Sequence, residues 1–337
     1  LTVTGDCVVT GTLTLNDSTV AVGALRAVSG AAITQGSSGT LEITAGSNFG
    51  GSSNYSFKNE DGTSDINLGG TLTQSAGTYF DPRTAPTYAS VLNNVVANAA
   101  AYWVGKVTIG GNYTLNAGDK WETYGGSDSF IVTGSALLNG HLSATTGFLA
   151  AGSTGEMKFG GLKIPSGGTY TATPLTTTIT NRYTGESHLW KNDGGTYTHN
   201  NGTVRFTDND HSSIKENTFY NVEVASANAN QYAVNFEAQG GGGNAFTILG
   251  DLTIESGDFE LINADDTCDI HGQTIIDNSL AGGSPNNTYA RFNNDKNQTG
   301  TITHHGIVTV KSGTYHVEDG GSVKILSGFR NVGGVVD

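Results

Sequence analysis

The residues with the most potential for chemistry are short acidic clusters between apolar segments. Asp208 and Asp210 are separated by one residue, and Asp265 and Asp266 are adjacent. Carboxylate oxygens grouped in this way are the ligands that Ca²⁺ prefers. The two pairs therefore predict calcium sites. The alternative is that they are solvated corner residues, because Asp and Asn also favour turns. No other cofactor is indicated.

Two carboxylates on one outer face also suit the cleavage of a polysaccharide. Asp208 and Asp210 share a strand face, but the chain has only 16 Lys and Arg to assist them, and Lys215 is the nearest lysine. A sugar-binding cleft requires aromatic residues grouped outside the strand rows, and the sequence does not show such a group. The P-loop, serine-hydrolase and zinc-protease motifs are absent. We therefore assign no catalytic residue and expect a protein that is not an enzyme, with polysaccharide cleavage as an alternative.

Histidine and cysteine give no clear site. His304 and His305 are adjacent, with His316 nearby. Adjacent residues of a strand point to opposite faces, so one metal ion cannot readily bind both. We interpret these histidines as surface residues. Cys7 and Cys268 are far apart in the chain, which predicts two buried free thiols rather than a disulfide.

The charge balance excludes some partners. The chain has 337 residues and a formal net charge of −14. Nucleic acids and anionic membranes are bound through clustered Lys and Arg, so neither is an expected partner. No run of eighteen apolar residues is present, and no membrane insertion is expected. The start at Leu1, directly in a strand pattern, predicts a processed product or a segment of a longer protein.

A glycine flanked by alternating apolar residues returns along the chain. Alternate residues of a strand share one face, so this glycine is predicted to lie in the buried row. It would let the backbone bend, or let another backbone come close. Six copies are Val9-x-Gly11-x-Leu13, Leu68-x-Gly70-x-Leu72, Ile109-x-Gly111-x-Tyr113, Val132-x-Gly134-x-Ala136, Ile248-x-Gly250-x-Leu252 and Ile270-x-Gly272-x-Thr274.

The spacing of the copies predicts the architecture. Gly111 to Gly134 is 23 residues, and Gly250 to Gly272 is 22. Periods of about 20 to 50 residues are typical of stacked repeats. We predict an all-β chain that forms a right-handed parallel β-solenoid, in which stacking of the coils completes the core. The alternative is a β-sandwich, but the chain has only two Asn-Gly pairs for its tight hairpins.

One segment breaks the pattern. Val91, Val95 and Ala99 share helical spacing, and Thr87 is a candidate helix cap. We predict a short helical insertion there, with a loop plus an irregular strand as the alternative. The resulting organisation is N-terminal coils at 1–80, the insertion at 81–104, central coils at 105–238 and C-terminal coils at 239–337.

Residues 195–225 read GTYTHNNGTVRFTDNDHSSIKENTFYNVEVA. This stretch resembles a repeat, GTFTHNNGTVTF followed by TFYNLTI, of β-rich proteins from marine phages and bacterial surfaces. Residues 195–204 and 218–222 match it well. Arg205 replaces a usual Thr, and Ser213-Ile214 replaces a common Gln step. The resemblance implies a virion or cell-surface structural protein and brings no catalytic residues with it.

Pattern and resemblance together predict a non-enzymatic extracellular structural protein. The expected setting is the surface of a phage virion, where a fibre, spike or capsid-surface protein provides a rigid β-rod for assembly and attachment. A bacterial surface adhesin or extracellular filament subunit is the alternative. Expected partners are sister subunits in a homo-oligomer such as a trimer, other virion proteins, and host glycans held by weak multivalent contacts.

Overall fold

A computed structural model describes most of the chain. The described residues are 1–49, 55–60, 64–76, 79–81, 90–99, 102–104, 107–116, 118–122, 129–139, 141–145, 156–207, 212–226, 233–237, 245–261, 265–278, 290–294, 299–317 and 322–336.

These residues form an all-β structure with almost no helix, which confirms the predicted class. The strands are short because Gly, Asn, Asp and Ser interrupt the apolar alternation every few residues. They are β1 Thr2–Val3, β2 Cys7–Val9, β3 Thr12–Thr14, β4 Thr19–Val22, β5 Leu25–Ala27, β6 Ala32–Gln35, β7 Thr40–Ile43, β8 Tyr55–Asn59, β9 Asp65–Gln74, β10 Tyr79–Asp81, β11 Ser90–Ala97, β12 Tyr102–Val104, β13 Val107–Ile109, β14 Tyr113–Leu115, β15 Gly118–Glu122, β16 Ser129–Leu138, β17 His141–Thr145, β18 Glu156–Pro165, β19 Thr169–Thr171, β20 Thr176–Ile179, β21 His188–Asp193, β22 Thr196–Thr198, β23 Thr203–Phe206, β24 Ser212–Lys215, β25 Thr218–Phe219, β26 Asn221–Ala225, β27 Ala233–Glu237, β28 Ala245–Ile248, β29 Leu252–Leu261, β30 Thr267–Ile270, β31 Thr274–Asp277, β32 Ala290–Asn294, β33 Thr301–His304, β34 Val308–Ser312, β35 Thr314–Val317, β36 Ser322–Ile325, β37 Phe329–Asn331 and β38 Val335–Val336.

The chain divides into two compact units. The first comprises Leu1–Phe159, Ile164–Thr173 and Gly195–Thr198, and the second comprises Gly160–Lys163, Pro174–Gly194 and His199–Asp337.

The first unit contains three ladders of parallel strands. One is the nine-stranded sheet β2-β5-β8-β10-β12-β15-β17-β19-β22. The second runs β1-β4-β7-β9-β11-β14-β16 and the third runs β3-β6-β9-β11-β13-β16. The long strands β9, β11 and β16 each take part in both of the last two ladders.

The second unit repeats this arrangement. Its ladders are the five-stranded sheet β25-β28-β30-β33-β36, the series β20-β23-β26-β29-β31-β34-β37 and the series β21-β24-β27-β29-β32-β35-β38. We call a stretch of chain that visits the three ladders once a pass. Polar contacts between neighbouring passes join residues from 18 to 36 positions apart.

Strand register aligns the apolar side chains of successive passes into buried rows. In the second unit, one row is fully buried and consists of Ile179, Phe206, Val224, Ile254, Ile276 and Val310. A pass is only one strand thick, so its apolar face is covered by the other ladders and by the passes on either side. Stacking therefore completes the core, as in repeat proteins.

The repeated glycines lie at corners between ladders, not in the middle of a buried row. Gly272 follows β30, and its N–H donates to the carbonyl oxygen of Gly250 in the preceding pass at 2.9 Å. A Cβ on Gly272 would lie 2.4 Å from that oxygen, and one on Gly134 would lie 2.6 Å from the oxygen of Gly111. The expected close approach of a second backbone is thus confirmed.

The residue after the corner glycine often secures the next pass. The Asn112 side-chain oxygen accepts from the Ser135 N–H at 2.9 Å, and the Asp251 carboxylate accepts from the Gln273 N–H at 2.7 Å. A short Asn or Asp side chain is the natural choice, because it reaches a backbone donor without leaving the corner.

The predicted helical insertion at 81–104 is wrong, because residues 90–97 form β11. The register of β11 against β9 shifts between Leu92 and Asn94, where the strand turns from one ladder to the other. Its buried side chains are therefore Leu92, Val95 and Ala97. A spacing of three across such a corner imitates one face of a helix.

Both cysteines are free thiols: Cys268 is buried as expected, whereas Cys7 is half-buried. Within the described ranges, no helix has the length and apolar character needed to cross a membrane.

Gly272→Ala should destabilise the protein, because the new methyl group meets the Gly250 carbonyl. We expect the free energy of unfolding to fall by about 2 kcal/mol, the usual range for overpacking. The measurement is urea unfolding followed by circular dichroism. Gly11→Ala is the matched control, since a Cβ on Gly11 meets nothing within 4 Å. Equal losses in the two variants would contradict the corner argument.

Candidate functional site

Of the four predicted calcium ligands, two lie among the described residues. Asp208 and Asp210 lie outside the described residues. Asp265 is exposed, whereas the neighbouring Asp266 is completely buried. In the parts of the chain that the structure describes, no group of three or more His, Cys, Asp or Glu is arranged to hold a metal ion. The calcium sites stay a prediction.

Glu255, another acidic residue, belongs to a ladder of ion pairs. Arg205 on β23 donates to Glu223 on β26 at 2.7 Å and to Glu255 on β29 at 2.6 Å. The hydrogen bonds that Arg205 donates, the one to Glu255 first, raise its pKa further above the usual value despite partial burial. One guanidinium therefore links the outer faces of three consecutive strands, and both carboxylates are already paired.

The densest charged cluster lies on the outer face of β18, β21 and β24. Glu186 contacts Lys163 at 2.7 Å and Lys191 at 2.6 Å. Asp193 contacts Lys191 at 3.3 Å and Lys215 at 3.3 Å. We call these five residues the lysine network. The signal for this network in the sequence is a lysine at the same position of two strands, because Lys191 and Lys215 are in register on neighbouring strands.

Contacts within the lysine network favour the charged forms of Glu186, Lys191 and Asp193. Partial burial raises the pKa of Glu186, but hydrogen bonds from Lys163 and Lys191 outweigh it and lower the pKa overall. The pKa of Asp193 is lowered by the same balance, and the hydrogen bond to Glu186 raises that of Lys191. A general acid or base needs a pKa near the working pH. The network thus ties strands together and is poorly suited to proton transfer.

Behind this face lies a buried carboxylate that sequence reasoning missed. Glu216 is 5% exposed and accepts from Trp190 Nε1 at 3.2 Å, from Asn192 Nδ2 at 3.0 Å and from the Asn217 N–H at 2.9 Å. Burial raises its pKa, and these hydrogen bonds only partly oppose the rise. Its donors come from the preceding pass and its own corner, so it joins two passes inside the core.

A second buried polar group is His304, and the interpretation of it as a surface residue is wrong. Its Nδ1 lies 2.8 Å from Thr274 Oγ1 and its Nε2 lies 3.1 Å from the Tyr315 hydroxyl. Its ring also packs on Phe292. Burial lowers the pKa of His304 to about 4, with a smaller contribution from His305. Alternation in β33 places His304 inside, while His305 lies partly exposed after the strand.

Outward polar rows connect passes in the first unit. Asn139 Nδ2 donates to Asn116 Oδ1 at 2.8 Å, and Asn116 Nδ2 donates to Asn98 Oδ1 at 2.9 Å. All three side chains are exposed. Amide groups one pass apart therefore form a ladder parallel to the stacking of the strands.

The fold and its ladders define an all-β protein of parallel strands with paired outward charges. Comparison with known protein families, curated proteins and solved structures finds no match. The resemblance of residues 195–225 to a phage and bacterial surface repeat therefore stays a prediction from sequence.

His304 should make stability depend on pH. Because its pKa is about 4 in the fold and about 6.5 when unfolded, its contribution is complete above pH ~6.5. It is lost as the pH falls towards 4, by roughly 3 kcal/mol in total. We expect His304→Gln to show a smaller loss of unfolding free energy between pH 7 and pH 4.5 than the wild type, measured by urea unfolding.

The control for this experiment is His305→Gln, which alters the adjacent, partly exposed ring. Carboxylates contribute to the pH dependence of every variant, so the comparison rests on the difference between variants. An unchanged slope in His304→Gln would show that the buried ring does not remain neutral.

Proposed function

We propose that the chain is a non-enzymatic structural protein built as a parallel β-solenoid and displayed on the surface of a phage virion. The observation that carries the proposal is the parallel pairing of every described ladder, pass upon pass. Such stacking makes a stiff support whose backbone groups are shielded from proteases. The role is mechanical: it holds an attachment or assembly surface away from the particle.

The charge arrangement supports a structural role over a catalytic one. The lysine network and the Arg205 ladder place carboxylates and cations in mutual contact, on the outer faces where a substrate would bind. Asp266, a member of the second acidic pair, is buried and so is not available to a substrate. The virion setting is supported by the repeat at residues 195–225, and sister subunits, other virion proteins and glycans are the proposed partners. A bacterial surface filament is the second candidate, supported by the same repeat.

Engineered cysteines test the solenoid. Thr171 and Thr198 are outward neighbours in register on β19 and β22. In a parallel ladder the Cα atoms of such a pair lie within disulfide reach. We expect Thr171→Cys with Thr198→Cys, in a Cys7→Ser background, to oxidise to an intramolecular disulfide, seen by mass spectrometry. The pair Thr169→Cys with Thr198→Cys is offset by two residues and should stay reduced. The opposite pattern would exclude this stacking.

Electron cryomicroscopy of the source material tests the biological setting. We expect the chain at fixed symmetry positions on virus particles, confirmed by mass spectrometry of purified particles. A cell-attached polymer would overturn the virion proposal in favour of the surface filament. Free single molecules would overturn both, and release of reducing ends from glycans would then be the assay to run.

A further inference from the structure

An outer row of aromatic and apolar side chains follows the second unit from pass to pass. Strand register makes the members from Tyr220 onward successive neighbours, because the residues just before them pair as Phe219 with Ile248, Ile248 with Ile270, and so on. His199 joins the row through its ring contact with Tyr220. We call this set the corner row. It consists of His199, Tyr220, Leu249, His271, His305 and Leu326.

Ring contacts order the corner row. His199 stacks on Tyr220 with centroids 5.5 Å apart, and His271 stacks on His305 at 4.5 Å with nearly parallel planes. The rings also have polar edges: His199 Nδ1 accepts from the Asn201 N–H at 3.1 Å, and His305 Nε2 lies 3.3 Å from Asp269 Oδ1. The corner row cannot be recognised in the sequence, because its members are 21 to 34 residues apart.

The corner row remains open to solvent. Leu249 is 40% exposed, Leu326 is 62% exposed and His271 is exposed as well, whereas His199, Tyr220 and His305 are half-buried. Leu249 and Leu326 occupy the same position of two passes that are separated by the passes of His271 and His305. Packing within the unit does not explain why both leucines are exposed. An ordered apolar strip at the surface marks an interaction site.

Polar rows flank the strip on both sides. On one side, Asn221, Asp251 and Gln273 are joined by hydrogen bonds of 2.9 and 2.7 Å. On the other, Thr247 and Asp269 belong to the outward row of the five-stranded sheet. In cross-section the surface is polar, then apolar with polar ring edges, then polar again.

We propose that the corner row binds a linear, uncharged glycan whose chain lies along it. This inference rests on the proposed surface function and names its ligand. Sugar rings have apolar C–H faces and a rim of hydroxyl groups, which match an apolar strip between hydroxyl, amide and carboxylate rows. Tyr and His combine an apolar ring with a polar edge. Neighbouring passes repeat about every 4.8 Å, so the same weak contact recurs along a polymer of short repeat.

The carboxylates beside the corner row favour an uncharged glycan over an acidic one. Asp251 and Asp269 flank the row, and the His305 ring nitrogen already lies 3.3 Å from the Asp269 carboxylate. An acidic polysaccharide would meet these carboxylates, on a chain with a net charge of −14. A protein partner is not favoured, because the strip is one residue wide and bordered by polar groups.

The test is retention of the purified chain in native affinity gels that contain neutral polysaccharides: an α-glucan, a β-glucan, a mannan and a galactan. We expect retardation by at least one of them. The variant Tyr220→Ala with His271→Ala should weaken the dissociation constant at least tenfold. Tyr55→Ala is the control, since Tyr55 packs against Tyr79 in the first unit and is not a member of the corner row. Circular dichroism checks that each variant folds.

Absence of retardation in all four gels would overturn the proposal, as would unchanged retardation of the double variant. If the double variant instead lowers the oligomeric state in sedimentation experiments, the row joins copies of the chain and the glycan proposal fails. As an independent readout, ring C–H signals of His271 and His305 should shift in NMR spectra when the retarding polysaccharide is added. Localisation on particles does not enter this experiment, so either proposal can fail alone.

Discussion

Backbone pairing between successive passes is the constraint on which the rest of the structure depends. Parallel strands lie about 4.8 Å apart, so each residue meets the residue at the same position one pass away. Inward positions must therefore repeat apolar side chains, and corners must repeat residues that leave room for a second backbone. Gly250 and Gly272 show the consequence, since the N–H of one contacts the carbonyl of the other and a side chain would separate the passes.

The same register governs the charges. Side chains of like sign in neighbouring strands repel, whereas opposite signs attract. Several of the described cations contact carboxylates of adjoining passes, as Arg205 does with Glu223 and Glu255. Exposed ion pairs contribute little individually. A network such as that around Lys191 orders several strands at once, and it does so on the faces that remain outside the core.

Buried polar groups determine which passes become neighbours, which apolar rows cannot do. Rows of Val, Ile and Leu in similar repeats do not distinguish one neighbouring pass from another. Besides the Asn217 N–H of its own corner, Glu216 accepts from Trp190 and Asn192, and a shift by one pass would remove these two donors. His304 fixes the last passes in the same way through Thr274 and Tyr315. An unsatisfied polar group in the core is costly, so such contacts favour one pairing over its alternatives.

The sequence by itself determined the all-β class, the repeat spacing and the need for glycine wherever another backbone approaches. These follow from local periodicity, which reports the side of a strand that faces inward. Only the tertiary structure decided that residues 90–97 are a strand, that the glycines lie at corners, that His304 is buried and that Lys163, Lys191 and Lys215 form one network. These features depend on which residues are neighbours across passes. That pairing joins positions 17 to 35 residues apart and changes wherever a corner shifts the register, so local patterns do not reveal it.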